Sequence, residues 1–405
     1  MLTSARSFLV DTPGIAMRTK RLLASVVGTV AITAVTTTVA ACGSSGPSQP
    51  PNTITVSDSQ CGGTWHVSGP GWHTFQISNQ GVNGAEIDLI DPSTGAIYSE
   101  IENTGPGTVT PMSLDLGSGK YAFLCQFNDS SPQAGPTVTV AGSVKGTPAI
   151  APITYNDLYP VAKKYQADLE AGIKVLASET DTLQTAVKSG NLTAAKKDWL
   201  TAHLQYESLG DAYGAFGDFD TEINGRADNL GVTSAQWTGF YRLEYGLWHG
   251  QSATELTGVA NTLDHDVHGL LAWWPSQQIT LSDLGRRAHE QIENALEFLL
   301  SGHDDYGSGT TLASTVASIQ ASETLLNLLK PLLAPRYAGL PQVYTDLGTL
   351  QSLLEKEHLP SGWWVPVSAL STPTREQIDA ACDQALQDLA PVASLTEPRN
   401  TANAF

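Results

Sequence analysis

The sequence predicts two folded parts behind an export leader: a small all-β sandwich, then an all-α helical bundle. Three observations carry this reading. Over residues 53–142, short alternating runs are separated by clusters of Gly, Pro and Asn, the pattern of short strands and turns. From residue 153 onward the apolar residues recur with a period near 3.6, the mark of helices with one buried face. Ahead of both, a basic cluster is followed by an apolar run that ends at Cys42. A chain of 405 residues, 41% hydrophobic, has room for more than one core.

The leader comes first. Arg18, Lys20 and Arg21 precede an apolar run from Leu22 to Ala41, the layout of a secretory signal peptide. The run is about long enough to span a membrane. Its Thr and Ala content, and the small residues of Val39-Ala40-Ala41-Cys42, favour cleavage. This string is similar to a bacterial lipobox, which implies cleavage after residue 41 and acylation of Cys42. Met17 stands directly before the basic cluster and is an alternative start. Residues 42–52, rich in Gly, Ser and Pro, read as the anchored cysteine and a flexible tether. The expected location is extracytoplasmic, at the cell surface, with the lipid holding the chain to the cell membrane.

The formal charge is −19 and becomes −22 once residues 1–41, with four basic residues and one acidic, are removed. Such a surface repels nucleic acid and attracts cations, so no nucleic-acid partner is expected. The cysteines agree with export. Cys61 and Cys125 fall together in the β segment and could pair in an oxidising compartment. Cys382 lies in a helical pattern and is expected to be a buried free thiol.

In the β segment, strands are expected at Ile54 to Val56, Thr74 to Ile77, Glu86 to Ile90, Met112 to Leu116, Tyr121 to Phe127 and Thr137 to Val140. Residues 143–152 read as a linker, and residues 153–397 as the helical domain. Leu158, Ala162, Tyr165, Leu169, Ile173, Leu176, Leu183 and Val187 form one stripe, ended by Gly190, with Asn191 placed to cap the next helix. Trp199, Ala202, Tyr206, Leu209 and Tyr213 form a second stripe. Leu281, Leu284, Ala288, Ile292, Ala295 and Leu299 form a third, ended by Gly302. Further helices are expected over 312–330, 343–358 and 373–390, and antiparallel packing into a bundle is the natural arrangement.

The segment from Trp199 to Asp228 holds the residue types that bind cations. His203 and Glu207, four apart, project from adjacent helical turns at the edge of the apolar stripe. Asp218, Asp220, Glu222 and Asp228 follow closely and would repel one another unless a cation or Arg226 compensated. Asp218 and Asp220 could equally cap a helix start. Farther on, a second helix is expected to carry Trp237, Tyr241, Glu244 and Trp248 on one face, which puts Glu244 within an aromatic stripe. A carboxylate in apolar surroundings needs a partner, either a metal or an arginine such as Arg226.

Several separated strings resemble a known family. His203-Leu-Gln-Tyr-Glu207, Ala215-Phe-Gly-Asp-Phe-Asp220 and Ile223-Asn-Gly-Arg226 resemble the first half of an imelysin-like domain. Thr238-Gly-Phe-Tyr241-Arg-Leu-Glu244-Tyr-Gly-Leu-Trp-His249 is similar to its His-x-x-Glu segment. Asp305-Tyr-Gly-Ser-Gly-Thr310 and Pro335-Arg-Tyr-Ala-Gly-Leu-Pro-Gln-Val-Tyr344 resemble later segments. The β segment is similar to a cupredoxin-like module, so the two parts together resemble the EfeO/EfeM-type iron-uptake lipoproteins.

That resemblance implies iron, Fe3+ or Fe2+, as cargo, passed to a membrane permease or a peroxidase-like partner of an EfeUOB-type system. It implies metal ligation by His203, Glu207, Asp218, Asp220, Tyr241 and Glu244. Tyr241 stands where the family motif has His, and His249 is a fallback imidazole on another face. In the β module, Cys61, Glu86, Glu100, Glu102 and Cys125 match positions proposed in the family to hold a second metal, although a disulfide is the simpler reading of the cysteines. Blue-copper ligation needs His and usually Met beside the Cys. Gln126, Phe127, Asn128 and Asp129 follow Cys125 instead.

Two other functions compete with this one. The imelysin family has been classed with metallopeptidases, but a zinc peptidase helix needs two His one turn apart with a Glu between, and His-Glu-x-x-His is absent from the sequence. Trp273-Trp274 and Trp363-Trp364, placed in loops beside Pro275 and Pro366, could line a polysaccharide cleft or simply pack.

Overall fold

The computed structural model describes residues 52–127, 130–228 and 230–399. The predicted leader, the lipobox, Cys42 and most of the tether lie outside these residues. The described residues bear out the β-sandwich followed by helices.

The β region has nine strands: β1 (Thr53–Ser57), β2 (Gln60–Cys61), β3 (Gly71–Asn79), β4 (Ala85–Ile90), β5 (Ile97–Thr104), β6 (Val109–Leu116), β7 (Gly119–Phe127), β8 (Gln133–Ala134) and β9 (Val138–Val140). One sheet runs β2-β1-β3-β6, with β1 parallel to β3. The other runs β5-β4-β7-β8, and β9 pairs with β7. Alternation decides the faces. Ile54, Val56, Phe75 and Ile77 from the first sheet meet Ile87, Leu89, Phe123 and Cys125 from the second. Trp65 fills the space between Phe75 and Phe123 with edge-on ring contacts. The Cys61–Cys125 disulfide ties β2 to β7 across the two sheets.

Three strands lie outside the expected set: the two-residue β2 and β8, and the longer β5. β5 is an edge strand whose sequence mixes Ile97, Tyr98 and Ile101 with Ser99, Glu100, Glu102 and Asn103. Polar residues suit an edge and erase the period of two.

The helical region holds α1 (Tyr155–Lys188), α2 (Leu192–Glu207), α3 (Asp218–Asn224), α4 (Gly239–Trp248), α5 (Ala253–Trp273), α6 (Asp283–Asn294), α7 (Thr311–Leu333), α8 (Leu340–Glu355) and α9 (Thr372–Thr396). α1 opens on a capping box, with Thr154 and Asp157 satisfying each other's backbone N–H. Gly190, at φ +78°, closes it, and Asn191 caps α2 by accepting from the Ala194 N–H. α1 packs on α2 and α5, and α9 packs on α6 and α8. α7 is buried on nearly every face, Ser314, Thr315, Ser318 and Ser322 included, so it is the central helix. Trp237, expected on the face of α4, precedes that helix. Trp273 closes α5, while Trp274 is buried in the short 3₁₀ turn that follows. The first tryptophan pair is therefore not a loop pair. Among the described residues no helix is long and apolar enough to cross a membrane.

The disulfide closes a loop spanning 64 positions, a closure worth up to about 4 kcal/mol on the chain-entropy view. The paired substitution Cys61→Ser/Cys125→Ser is expected to lower the melting temperature of the β region, as is reduction of the wild-type protein. Thermal melts that coincide with and without reductant would contradict this.

Candidate metal centre

The residues predicted from spacing come together where α2, α3 and α4 meet. α2 buries Trp199, Ala202, His203, Tyr206 and Glu207 on one face, the i, i+3, i+4 geometry of a helix seated on a core. α4 starts against the end of α3. A Cβ on Gly239 would lie 2.3 Å from the Ile223 carbonyl, and its φ is +83°, so the crossing needs glycine. This brings Tyr241 and Glu244 opposite His203 and Glu207.

Between these helices lies a polar cavity of about 200 Å³. Its walls include Glu207, Asp220, Asn224, Arg226, Tyr241 and Asp304. Part of the far wall comes from Asn294, Ala295, Phe298 and Leu299. Here α6 widens into a π-helical turn, Ala295–Leu299, a local defect frequent at functional sites.

Each predicted ligand has a definite position. His203 is 2% exposed, stacked on Trp199 at 4.8 Å and flanked by the rings of Phe240 and Tyr241. Its Nε2 lies 3.2 Å from Glu207 Oε1, yet neither ring nitrogen has hydrogen-bond geometry to any partner. The short distance is therefore a contact rather than a bond. Glu207 accepts from Asn224 Nδ2 at 3.0 Å. Asp220 accepts from the Tyr206 hydroxyl at 2.6 Å. Burial pushes the Asp220 carboxyl up, the Tyr206 bond holds it down, and the net shift is upward. Tyr241 is buried, and its hydroxyl donates to Asp304 Oδ2 at 3.2 Å. Burial, with Glu207 and Asp304 nearby, raises its phenol well above the ordinary value.

Glu244 is 1% exposed. One oxygen accepts from the N–H groups of Tyr306 and Ser308, at 3.2 and 2.9 Å. The other oxygen, Oε2, is buried without a partner. Burial raises this carboxyl to about 7 against the opposing pull of the Ser308 bonds.

Asp218 does not join the group. It sits exposed in the first turn of α3, where a carboxylate suits the helix dipole. His249 is exposed and bonded to the Tyr245 carbonyl. Arg226 does not pair with Glu244. Its Nε and Nη2 fork onto Asp304 at 2.6 and 2.8 Å, and its guanidinium lies 3.7 Å from the centre of the Phe298 ring. Asp304 is the residue sequence reasoning missed. It directly precedes the Asp305–Thr310 string, and its role depends on Arg226, 78 positions away.

The cavity thus holds three carboxylates, Glu207, Asp220 and Asp304, beside one guanidinium. His203 and Glu244, both with unsatisfied atoms, lie behind it. The side chains do not form a closed cage: three-membered ligand groups within 4.8 Å of one another occur elsewhere among the described residues. A cation entering here would have to draw the carboxylates inward.

In the β region, Cys61 and Cys125 are joined as a disulfide and cannot serve as thiolate ligands. Glu86 and Glu100 form a tight group with Asp88, and Glu102 lies outside it.

The family model for imelysin matches residues 161–393. The iron uptake system component EfeO of Yersinia pestis is 28% identical over 313 residues, covering 76% of this chain and 82% of that protein. EfeO of Yersinia pseudotuberculosis serotype I (strain IP32953) is 26% identical over the same length. EfeO of Escherichia coli O1:K1 / APEC is 26% identical over 286 residues, covering 69% of this chain and 73% of that protein.

Two outcomes follow from this geometry. Because the Glu244 carboxyl is raised in the folded state from 4.5 to about 7, the folded chain holds a proton that the unfolded chain has released. That contribution to stability is complete below pH 4.5 and disappears as pH rises to 7, a loss of up to about 3 kcal/mol. Denaturant titrations of metal-free protein should show this decline, and Glu244→Gln should flatten it. Separately, Asp304→Ala removes the partner of a partly buried arginine and should destabilise the fold by about 3 kcal/mol. An unchanged denaturation midpoint would contradict that assignment.

Proposed function

The chain belongs to the imelysin family, and from that premise we propose that it is an extracytoplasmic iron-uptake component that carries iron as cargo in the cavity between α2, α3 and α4. The observation that carries this reading is the set of unsatisfied polar atoms behind the cavity wall. His203 offers two unbonded ring nitrogens and Glu244 a bare oxygen, all buried, where each lost partner costs about 1–3 kcal/mol. Beside them, three carboxylates share one arginine. A cation would satisfy both deficits, and carboxylate and phenol oxygens suit iron. Relatives named as iron uptake system components support the choice of metal.

In this reading the ligands are Glu207, Asp220, Tyr241 and Glu244, with His203 adjacent. Tyr241, in the position of the family histidine, supplies an oxygen and favours a harder ion. Asp218 lies too far toward solvent to take part unless α3 rearranges. The cargo would pass to a membrane permease, or to a peroxidase-like partner of the same uptake system. Acylation at Cys42 and the tether would keep the protein at the membrane while giving it reach. Coordination and release require no bond-making in a substrate, so the role is not enzymatic. The chain has no His-Glu-x-x-His string to support zinc peptidase chemistry.

Protein lacking residues 1–42, freed of metal, is expected to bind iron in calorimetry. Glu244→Ala should weaken that binding by at least about tenfold, the scale seen when a metal site loses a supporting group. Equal affinity in wild type and in the paired variant Glu207→Ala/Glu244→Ala would remove the helical cavity as the site.

A further inference from the structure

The cavity between α2, α3 and α4 contains a group that a bare cation would avoid. Arg226 lies in its wall together with Glu207, Asp220 and Tyr241, and a guanidinium keeps its positive charge at every working pH. It is not free to swing away. Nε and Nη2 fork onto Asp304 at 2.6 and 2.8 Å, and the guanidinium rests 3.7 Å from the centre of the Phe298 ring. Asp304 is itself 3% exposed, so the clamp is anchored in the interior. A guanidinium has five N–H donors, and Asp304 occupies only one edge of it. Among the described residues Nη1 has no hydrogen-bond partner. A purely structural arginine would need only the edge that Asp304 takes.

The far wall adds neutral donors. Gln291 and Asn294, from the last turn of α6, both line the cavity. Gln291 Nε2 donates to Ser318 Oγ at 3.1 Å, and a primary amide has a second hydrogen to give. Size points the same way. The cavity measures about 200 Å³, whereas a single water needs only about 15 Å³ of such space. A lone ion would leave most of it unfilled. Drug-sized ligands occupy about 300–1,000 Å³, so a bulky chelate does not fit.

We propose that the cargo is held as a pair, a ferric ion together with a small planar oxyanion of the carbonate or oxalate class, and that the anion bridges the metal and the open N–H edge of Arg226. This inference rests on the reading of the cavity as the iron site. Oxygens of Glu207, Asp220, Tyr241 and Glu244 leave positions open on an ion that gathers about six ligands. The anion fills these positions on one side. On the other it accepts from Arg226, whose planar fork matches a carboxylate-type anion with two parallel bonds. Gln291 and Asn294 donate to the oxygens that remain. Placed between two positive charges, the anion turns their mutual repulsion into attraction toward itself. Arg226 thereby selects a metal that arrives with its anion over one that arrives with water alone.

The test is equilibrium dialysis of the full mature chain, freed of metal, against iron(III) kept in solution by excess radiolabelled oxalate. Wild type should retain iron and label in equal amounts, and no label without iron. Arg226→Gln/Asp304→Asn exchanges the ion pair for a neutral hydrogen-bonding pair, so no buried charge is stranded. It should still hold iron, with the label-to-iron ratio lowered by about tenfold, the scale of a lost charge-assisted hydrogen bond. Asn294→Leu leaves the ion pair intact and should lower the ratio by less, and this arm stands if the double variant folds poorly. Iron retained without label, yet lost in Glu207→Ala/Glu244→Ala, would overturn the paired cargo and leave the iron site standing. A ratio unchanged by the variants, or label retained without iron, would also overturn it. Iron not retained at all, or retained equally by Glu207→Ala/Glu244→Ala, would remove the iron site and the paired cargo together.

Discussion

The shortage of positive charge beside buried carboxylates governs this molecule. A carboxylate removed from water must be neutralised, hydrogen-bonded or paired. The chain carries 21 basic residues against 40 acidic ones, and among the described residues it does not give each buried acid a cation of its own. It uses its arginines sparingly: Arg226 serves Asp304, and Arg399 serves Glu86 and Glu100. The remaining buried acids rely on neutral donors. Tyr206 donates to Asp220, Asn224 to Glu207, and two backbone N–H groups to Glu244. Neutral donors stabilise a negative charge without cancelling it, and that leaves an interior receptive to a cation.

The fold creates the condition. α2 and α4 carry their polar side chains on faces that also bear Trp199, Tyr206 and Phe240, so the acids are buried by the same aromatic packing that holds the helices together. The Asp305–Thr310 loop then supplies backbone donors to Glu244. Removing water from the loop and the helix face strengthens every electrostatic term inside. The same burial raises the cost of leaving His203 without a partner.

Much of this was legible in the sequence because it rests on short-range periodicity. The four-residue spacing of His203 and Glu207, and the stripe of α1 from Leu158 to Val187, are properties of single helices. The boundary residues Gly190 and Asn191 behave as expected for the same reason. Where the reading failed, the cause lies in pairing across long separations or in exposure that periodicity does not set. Asp218 is two residues from Asp220, yet it turns to solvent because α3 begins there. Asp304 gains its meaning from Arg226, and Glu86 from the distant Arg399. No local pattern reports such partners. The edge strand β5 was hidden because its polar residues face water and its neighbour at once.

The most direct measurement is an anomalous scattering experiment at the iron absorption edge on crystals of the iron-loaded protein. A peak is expected in the cavity within coordination reach of Glu207 and Glu244, with Asp220 and Tyr241 drawn toward it. Iron density found only elsewhere, with Glu244 Oε2 and both His203 nitrogens still unpartnered, would contradict it.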